Sequence, residues 1–166
     1  KFAHMADCHI GGWREPQLKE LSIKAFDLAI EKCISEHVAF ILICGDLFNT
    51  ALPSIDLIRD TAAILRKAKD HDISVYIIPG SHDFSPSGKT MLDVLEKAGL
   101  IENVVRFEEE KLVFTEDKTG VKITGLLGKK GGLEKSYYET LDMSNLESES
   151  GFKIFMFHTA LAEFNP

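Results

Sequence analysis

Apolar runs that alternate with helix-length amphipathic stretches constrain this chain more than any other feature. Val38–Cys44 is a β-rich run with no polar alternation, the pattern of a strand covered on both faces. Ile73–Ile78 repeats it and closes at Pro79-Gly80, and Lys1–Ala6 is a shorter strand that ends at Asp7. Between the first two runs, Gln17–His37 carries Leu18, Leu21, Ala25, Phe26, Ala29, Ile30 and Cys33 at helical spacing. Pro53–Asp70 is predicted as a second helix, with Pro53 in its first turn and Ile55, Ile58, Ala62 and Leu65 on one face. Ser87–Ala98 is a third, stopped by Gly99. The order β-α-β-α-β-α implies parallel strands joined by right-handed crossovers.

The second half changes character. Ile101–Phe107, Lys111–Phe114 and Val121–Leu127 are shorter predicted strands between charged turns. Glu134–Leu141 is a predicted helix, Leu146–Gly151 an acidic loop, and Lys153–Phe157 an apolar strand that ends at His158. With no repeat, low-complexity tract or linker, residues 1–166 are expected to form one α/β unit. A length of 166 residues suffices to bury a core without staples. No apolar run approaches the roughly 20 residues that span a bilayer, and His4 and Asp7 interrupt the first apolar stretch too early for a signal peptide. A cytoplasmic protein with reduced thiols is expected. Its three cysteines (Cys8, Cys33, Cys44) are an odd count without a C-x-x-C, which argues against zinc held by cysteine. The net charge of −7 excludes nucleic-acid coating by bulk charge alone. It leaves room for an enzyme whose metal ions supply positive charge locally.

The chemistry collects where the strands end. The first runs into Asp7-Cys8-His9, the second into Gly45-Asp46, the third into Gly80-Ser81-His82-Asp83, and the last into His158. Parallel α/β sheets bind ligands at this carboxyl edge. Carboxylate and neutral imidazole together suit divalent manganese, iron or zinc. In Asp7-x-His9 the two-residue period of an extended chain points both side chains the same way. Two patterns are set aside. Ser87-Gly88-Lys89-Thr90 resembles the end of a phosphate-binding loop, but the required earlier glycine is Asp83. Ser81-His82-Asp83 has the letters of a hydrolase triad, but adjacent residues alternate direction. His4, His37 and His71 are expected to be structural. Trp13 and Arg14 either contact a nucleic acid or anchor the loop to the first helix. Glu108–Glu110 is expected to be a solvated turn.

Asp7-x-His9, Gly45-Asp46-x-x-Asn49 and Gly80-Ser81-His82-Asp83, in this order and at helix-long spacings, resemble the motif series of the calcineurin-like metallophosphoesterases. Within that family, the stretches 2–11 and 40–48 are most similar to the SbcD-like nuclease subunits of archaeal double-strand-break repair nuclease–ATPase complexes. The resemblance implies a four-layer α-β-β-α sandwich with a pair of manganese ions at the sheet edge (magnesium, iron or zinc being alternatives). It implies that Asp7 and His9 bind the first ion, Asp46 bridges both, and His158 binds the second. His82 would be the general acid and Asp83 its orienting partner. It implies DNA ends as substrate, an ATPase partner, a homodimer, no membrane association and a nucleoid location. The ions would clamp a phosphodiester and lower the pKa of bound water to about 7, and His82 would protonate the departing ribose oxygen.

The sequence departs from the series in three places. Ser81 stands where the pattern has Asn, leaving it a metal or phosphate contact at most. Asn49 stands where such nucleases often carry His, leaving it too a metal or phosphate contact at most. No G-H-x-H follows His158, the last of six histidines. The chain is therefore expected to be the amino-terminal portion of a longer domain, with an incomplete second metal site and little activity alone. A phosphoesterase for other phosphate esters would share every ligand, and a scaffold that has lost catalysis is the remaining alternative.

Overall fold

Burial on both faces is what makes 40–44 a strand, and its neighbours follow from the same rule. In the computed structural model, which describes all residues except 16, 19, 86–89, 143 and 162–166, β1 (Ala3–Met5), β2 (Phe40–Cys44), β3 (Ser74–Ile78) and β4 (Glu102–Asn103) form one parallel sheet in that order. Helices α1 (Leu21–Ser35), α2 (Ile55–Asp70) and α3 (Met91–Lys97) connect its strands. Ile41, Ile43, Val75 and Ile77 point outward and pack with Phe26, Ile30, Cys33, Leu65, Ala68 and Leu95 of the helices. Each such fully buried side chain contributes about 1.5–3 kcal/mol relative to exposure.

The other face of the sheet meets a second one. Strands β5 (Phe107–Glu108) and β6 (Lys111–Leu112) make a hairpin. Strands β7 (Thr115–Glu116), β8 (Lys122–Gly125) and β9 (Lys153–Met156) make a mixed sheet in which β7 runs antiparallel and β9 parallel to β8. Phe40, Leu42, Cys44, Tyr76 and Ile78 pack across the gap on Ile123 and Met156. Beyond the second sheet, Leu112, Leu126 and Leu146 pack with Tyr138, Leu141 and Phe155, under α4 (Lys135–Thr140) and α5 (Ser144–Ser148). The layers are α-β-β-α, as expected. At the β1 edge the second sheet stops short, and His4, in register with the buried Leu42, is exposed in the resulting cleft.

Several boundaries differ from expectation for identifiable reasons. Pro53 lies before α2 rather than in its first turn, because Ser54 is the N-cap and accepts from the Leu57 N–H. Ile55 is 84% exposed, and the buried face runs through Thr61, Ile64, Leu65 and Ala68. Leu21 and Ala25 are likewise exposed, so the buried stripe of α1 is Phe26, Ile30 and Cys33. α3 begins at Met91, where the Asp93 carboxylate accepts the Thr90 N–H at 2.7 Å, and Gly99 ends it at φ +66°. Residues 87–89, the rest of that expected helix and of the loop-like motif, lie outside the described residues. The expected loop 146–151 begins inside α5, because Leu146 is buried under the second sheet. Glu108–Glu110 is exposed at the β5–β6 hairpin, as expected.

Candidate metal centre

The residues at the four strand ends meet at one edge because their loops are paired like strands. The Asp7 N–H donates to the Gly45 carbonyl, the His9 N–H to that of Asp46, and the Ile10 N–H to that of Leu47, at 3.0–3.2 Å. The extended pleat that the spacing suggests is not what brings Asp7 and His9 together. Instead Asp7, His9 and Asp46 adopt φ of +54°, +41° and +53°, a left-handed conformation unusual for residues with a Cβ. Three such residues side by side at one edge are the kind of strain that clusters at functional sites.

Asp46 is the centre. Its side chain is 4% exposed, its Oδ1 accepts the His82 N–H at 2.8 Å, and its Oδ2 lies 3.4 Å from His158 Nε2 and 3.7 Å from His9 Nε2. His9 Nε2 is also 3.4 Å from Asp7 Oδ1. His158 is oriented by its other nitrogen, which lies 2.8 Å from the Cys44 carbonyl oxygen. A carbonyl only accepts, so Nδ1 carries a hydrogen and the ring is turned with Nε2 toward Asp46, to which Nε2 donates. Asp46 beside it pushes the His158 imidazole up to about 9, against the opposing effect of burial. Burial would raise the Asp46 carboxyl, but the hydrogen bonds from His158 and the His82 backbone hold it below the usual carboxylate range.

Glycine is required where these groups crowd the backbone. A Cβ on Gly45 (φ +90°) would come within 2.6 Å of His158 Cγ, and one on Gly80 within 2.7 Å of Asp46 Cγ. The donor atoms form two overlapping sets, Asp7–Asp46–His158 and His9–Asp46–His82, each within 4.8 Å. Carboxylate oxygens and imidazole nitrogens gathered around a buried carboxylate are the donor chemistry of a divalent cation. The Nδ1 of His9 is buried without a hydrogen-bond partner among the described residues, and its Nε2 faces Asp7 and Asp46. The residues present therefore fit a divalent metal.

All the candidate residues, Asp7, His9, Asp46, Asn49, Ser81, His82, Asp83 and His158, lie at this edge, with a different division of labour. Asp83 does not pair with His82. Its carboxylate is buried and accepts from the N–H groups of Leu47 (3.2 Å), Phe48 (3.0 Å) and Gly80 (3.0 Å), clamping the loop after β2 to the loop after β3. The His82 ring is oriented instead by the Asn49 carbonyl, 2.8 Å from Nδ1, which leaves Nε2 without a hydrogen-bond partner among the described residues and beside His9. Asn49 thus contributes its backbone carbonyl to the site. Ser81 lines the cleft next to Asp7 and His158. Trp13 is 51% exposed, so it does not serve as a buried anchor. Cys33 and Cys44 are buried core residues.

The sequence reading overlooked Glu134 and Lys129. Glu134 is 4% exposed, and its Oε1 accepts the Thr159 hydroxyl at 2.7 Å, tying the loop after β8 to the residue that follows His158. The end of β8 lies at the same edge: the Gly128 N–H donates to the Pro79 carbonyl, and a Cβ there would come 2.6 Å from His158 Cδ2. Examining Gly128-Lys129-Lys130 as a fifth strand end would have found them.

The comparisons with known proteins agree with this geometry. The calcineurin-like phosphoesterase family model matches residues 1–165. Over 180 aligned residues, covering 100% of this chain and 45% of the relative, the chain is 30% identical to the DNA double-strand break repair protein Mre11 of Methanococcus maripaludis. Over 103 residues, covering 61% of this chain and 23% of the relative, it is 34% identical to the Mre11 of Archaeoglobus fulgidus. The chain thus spans less than half the length of these relatives. A solved crystal structure, matched over 93% of this chain and 67% of its own, superposes with a TM-score of 0.51 at 11% identity, a likeness of fold alone. With the family model matched along nearly its whole length, this chain belongs to the calcineurin-like phosphoesterases.

Proposed function

We propose that this chain is a manganese-dependent phosphodiesterase that hydrolyses DNA in double-strand-break repair. The observation that carries the catalytic reading is the convergence of Asp7, His9 and His158 on the buried Asp46, with His82 Nε2 alongside. The DNA reading comes from the relatives, which are named as break-repair proteins. A repair enzyme of this kind works in the cytoplasm at the nucleoid, with an ATPase partner and a second copy of itself. Among the described residues no helix is long and apolar enough to cross a membrane.

Asp7, His9, Asp46 and His158 would hold the metal, Asp46 belonging to both sets of donor atoms. When bound, such ions neutralise phosphate oxygens and make hydroxide available near neutral pH. The protein's own groups do the rest. Asp46 is fixed by the His82 N–H, so its second oxygen cannot swing away from the histidines. The Asn49 carbonyl fixes the His82 ring so that Nε2, when protonated, is the atom that can deliver a proton to a leaving ribose oxygen. Asp83 holds both loops in register beneath them.

The test is cleavage of a labelled DNA duplex and of bis(p-nitrophenyl) phosphate by the full-length polypeptide, with manganese and with chelator, beside an Asp46→Asn variant. Manganese-dependent cleavage of both, lost in the variant, supports the proposal. Cleavage of the small ester alone refutes DNA as the substrate, and cleavage of neither refutes the catalytic reading.

A further inference from the structure

A phosphodiester enzyme with an acidic chain must still attract more than one phosphate if its substrate is a polymer. The metal-binding residues open into a cleft of about 950 Å³ lined in part by Asp7, Ser81, Lys129, Glu134, Lys135 and His158. Glu134 accepts from Thr159 and has the charge of Lys135 acting on it, so Lys129 is the lining cation suited to an anion.

Lys129 differs from the lysines that form ion pairs. Lys67, Lys111, Lys118 and Lys122 each pair with a carboxylate that neutralises them. Lys129 has no carboxylate partner among the described residues. Its Nζ lies 4.3 Å from the Tyr137 ring centroid and 5.5 Å from that of Phe84, and donates to the Tyr137 hydroxyl at 2.7 Å. Aromatic faces hold an ammonium group by attraction to the ring quadrupole, which fixes its position and leaves its charge intact. Among the described residues one of its three N–H donors is occupied, leaving two for a ligand.

The cradle is attached to the site from both sides. Phe84 follows His82-Asp83, and its N–H donates to the Gly80 carbonyl at 3.2 Å. Tyr137 is on α4, whose preceding residue Glu134 bonds to Thr159 beside His158. Gly128, the residue before Lys129, abuts His158 itself. A charged, oriented and unneutralised ammonium group beside the metal-binding edge is a positioning device for a second anion.

We propose that Lys129, held by Phe84 and Tyr137, binds a phosphate neighbouring the one being hydrolysed, so that the cleft selects polynucleotide strands over esters with a single phosphate. This rests on the proposal that the chain is a DNA phosphodiesterase.

The test compares the full-length protein with Lys129→Gln and Lys129→Arg. Oligonucleotide affinity is measured by fluorescence anisotropy over a series of salt concentrations, with calcium in place of manganese. Losing one phosphate contact should make the slope of log K against log[salt] shallower by about 0.7–0.9 for Lys129→Gln, with Lys129→Arg close to wild type. KM for the oligonucleotide should rise roughly tenfold, with a smaller change in kcat and a smaller rise for bis(p-nitrophenyl) phosphate. An unchanged slope in a Lys129→Gln protein that melts at the wild-type temperature overturns the inference alone. A wild type that cleaves the small ester and neither binds nor cleaves DNA overturns the inference together with the reading beneath it.

Discussion

Replacing Asp83 separates two roles that the sequence alone confuses. The carboxylate accepts three backbone N–H groups, from Leu47, Phe48 and Gly80, all in buried surroundings. Asp83→Ala would strand these donors with no room for three waters in their place. Each buried unsatisfied donor costs about 1–3 kcal/mol, so the loss should be about 3–9 kcal/mol. Domains are commonly stable by only about 5–15 kcal/mol, so this variant should sit near the edge of folding. Asp83→Asn keeps the shape and one acceptor oxygen but turns an amide N–H₂ toward a donor, for an intermediate loss of about 2–4 kcal/mol. The assay is urea unfolding in chelator, followed by tryptophan fluorescence, with a check that the slope is unchanged. An orienting partner of His82 would behave differently: Asp83→Asn would lower activity at an unaltered urea midpoint. A midpoint within about 0.5 kcal/mol of wild type for both variants would refute the clamp.

Further outcomes follow from the same geometry. His82→Ala should lose about 10²–10⁴-fold in kcat on DNA and much less on bis(p-nitrophenyl) phosphate, whose leaving group needs no proton; equal losses on both would remove His82 as the proton donor. Gly45→Ala combines a φ of +90° with a Cβ 2.6 Å from His158 Cγ, so melting temperature and manganese affinity should both fall, and an unchanged affinity by calorimetry would contradict the crowding. Burial raises the Asp117 carboxyl, but the Thr119 hydroxyl and N–H and the Tyr76 hydroxyl outweigh it and hold the group below its usual 3.8. A depressed carboxyl stabilises the fold above its unfolded pKa and loses that effect as pH falls through the folded value. Asp117→Asn should therefore cost about 1–3 kcal/mol at neutral pH, with the gap closing below about pH 4; a gap that stays constant on acidification would refute the assignment.

The part of the fold that local pattern dictates was legible. Phe40–Cys44 and Ser74–Ile78 reveal themselves because both faces are apolar, and the ligand candidates follow because each such strand must end at a polar turn. The helix faces were less legible. Ile55 fits the spacing of α2 yet is exposed, because the direction of the sheet and not the helix period decides which side is covered. The second half was read with the wrong lengths, since strands such as Thr115–Glu116 are set by partners distant in sequence. At the site, the residue types were readable and their bonds were not. Adjacent His82 and Asp83 look like a pair, yet the chain turns so that one faces the Asn49 carbonyl and the other three N–H groups. Glu134 and Thr159 meet across 24 intervening residues, a contact with no local signature.

The central claim is that the buried Asp46 carboxylate gathers Asp7, His9 and His158 into a divalent-metal site. Calorimetric titration of the full-length protein with manganese, beside Asp46→Asn, tests it without reference to any substrate. The account predicts saturable binding that Asp46→Asn abolishes while the protein stays folded. Undiminished binding in the variant, or no binding by the wild type, would contradict it.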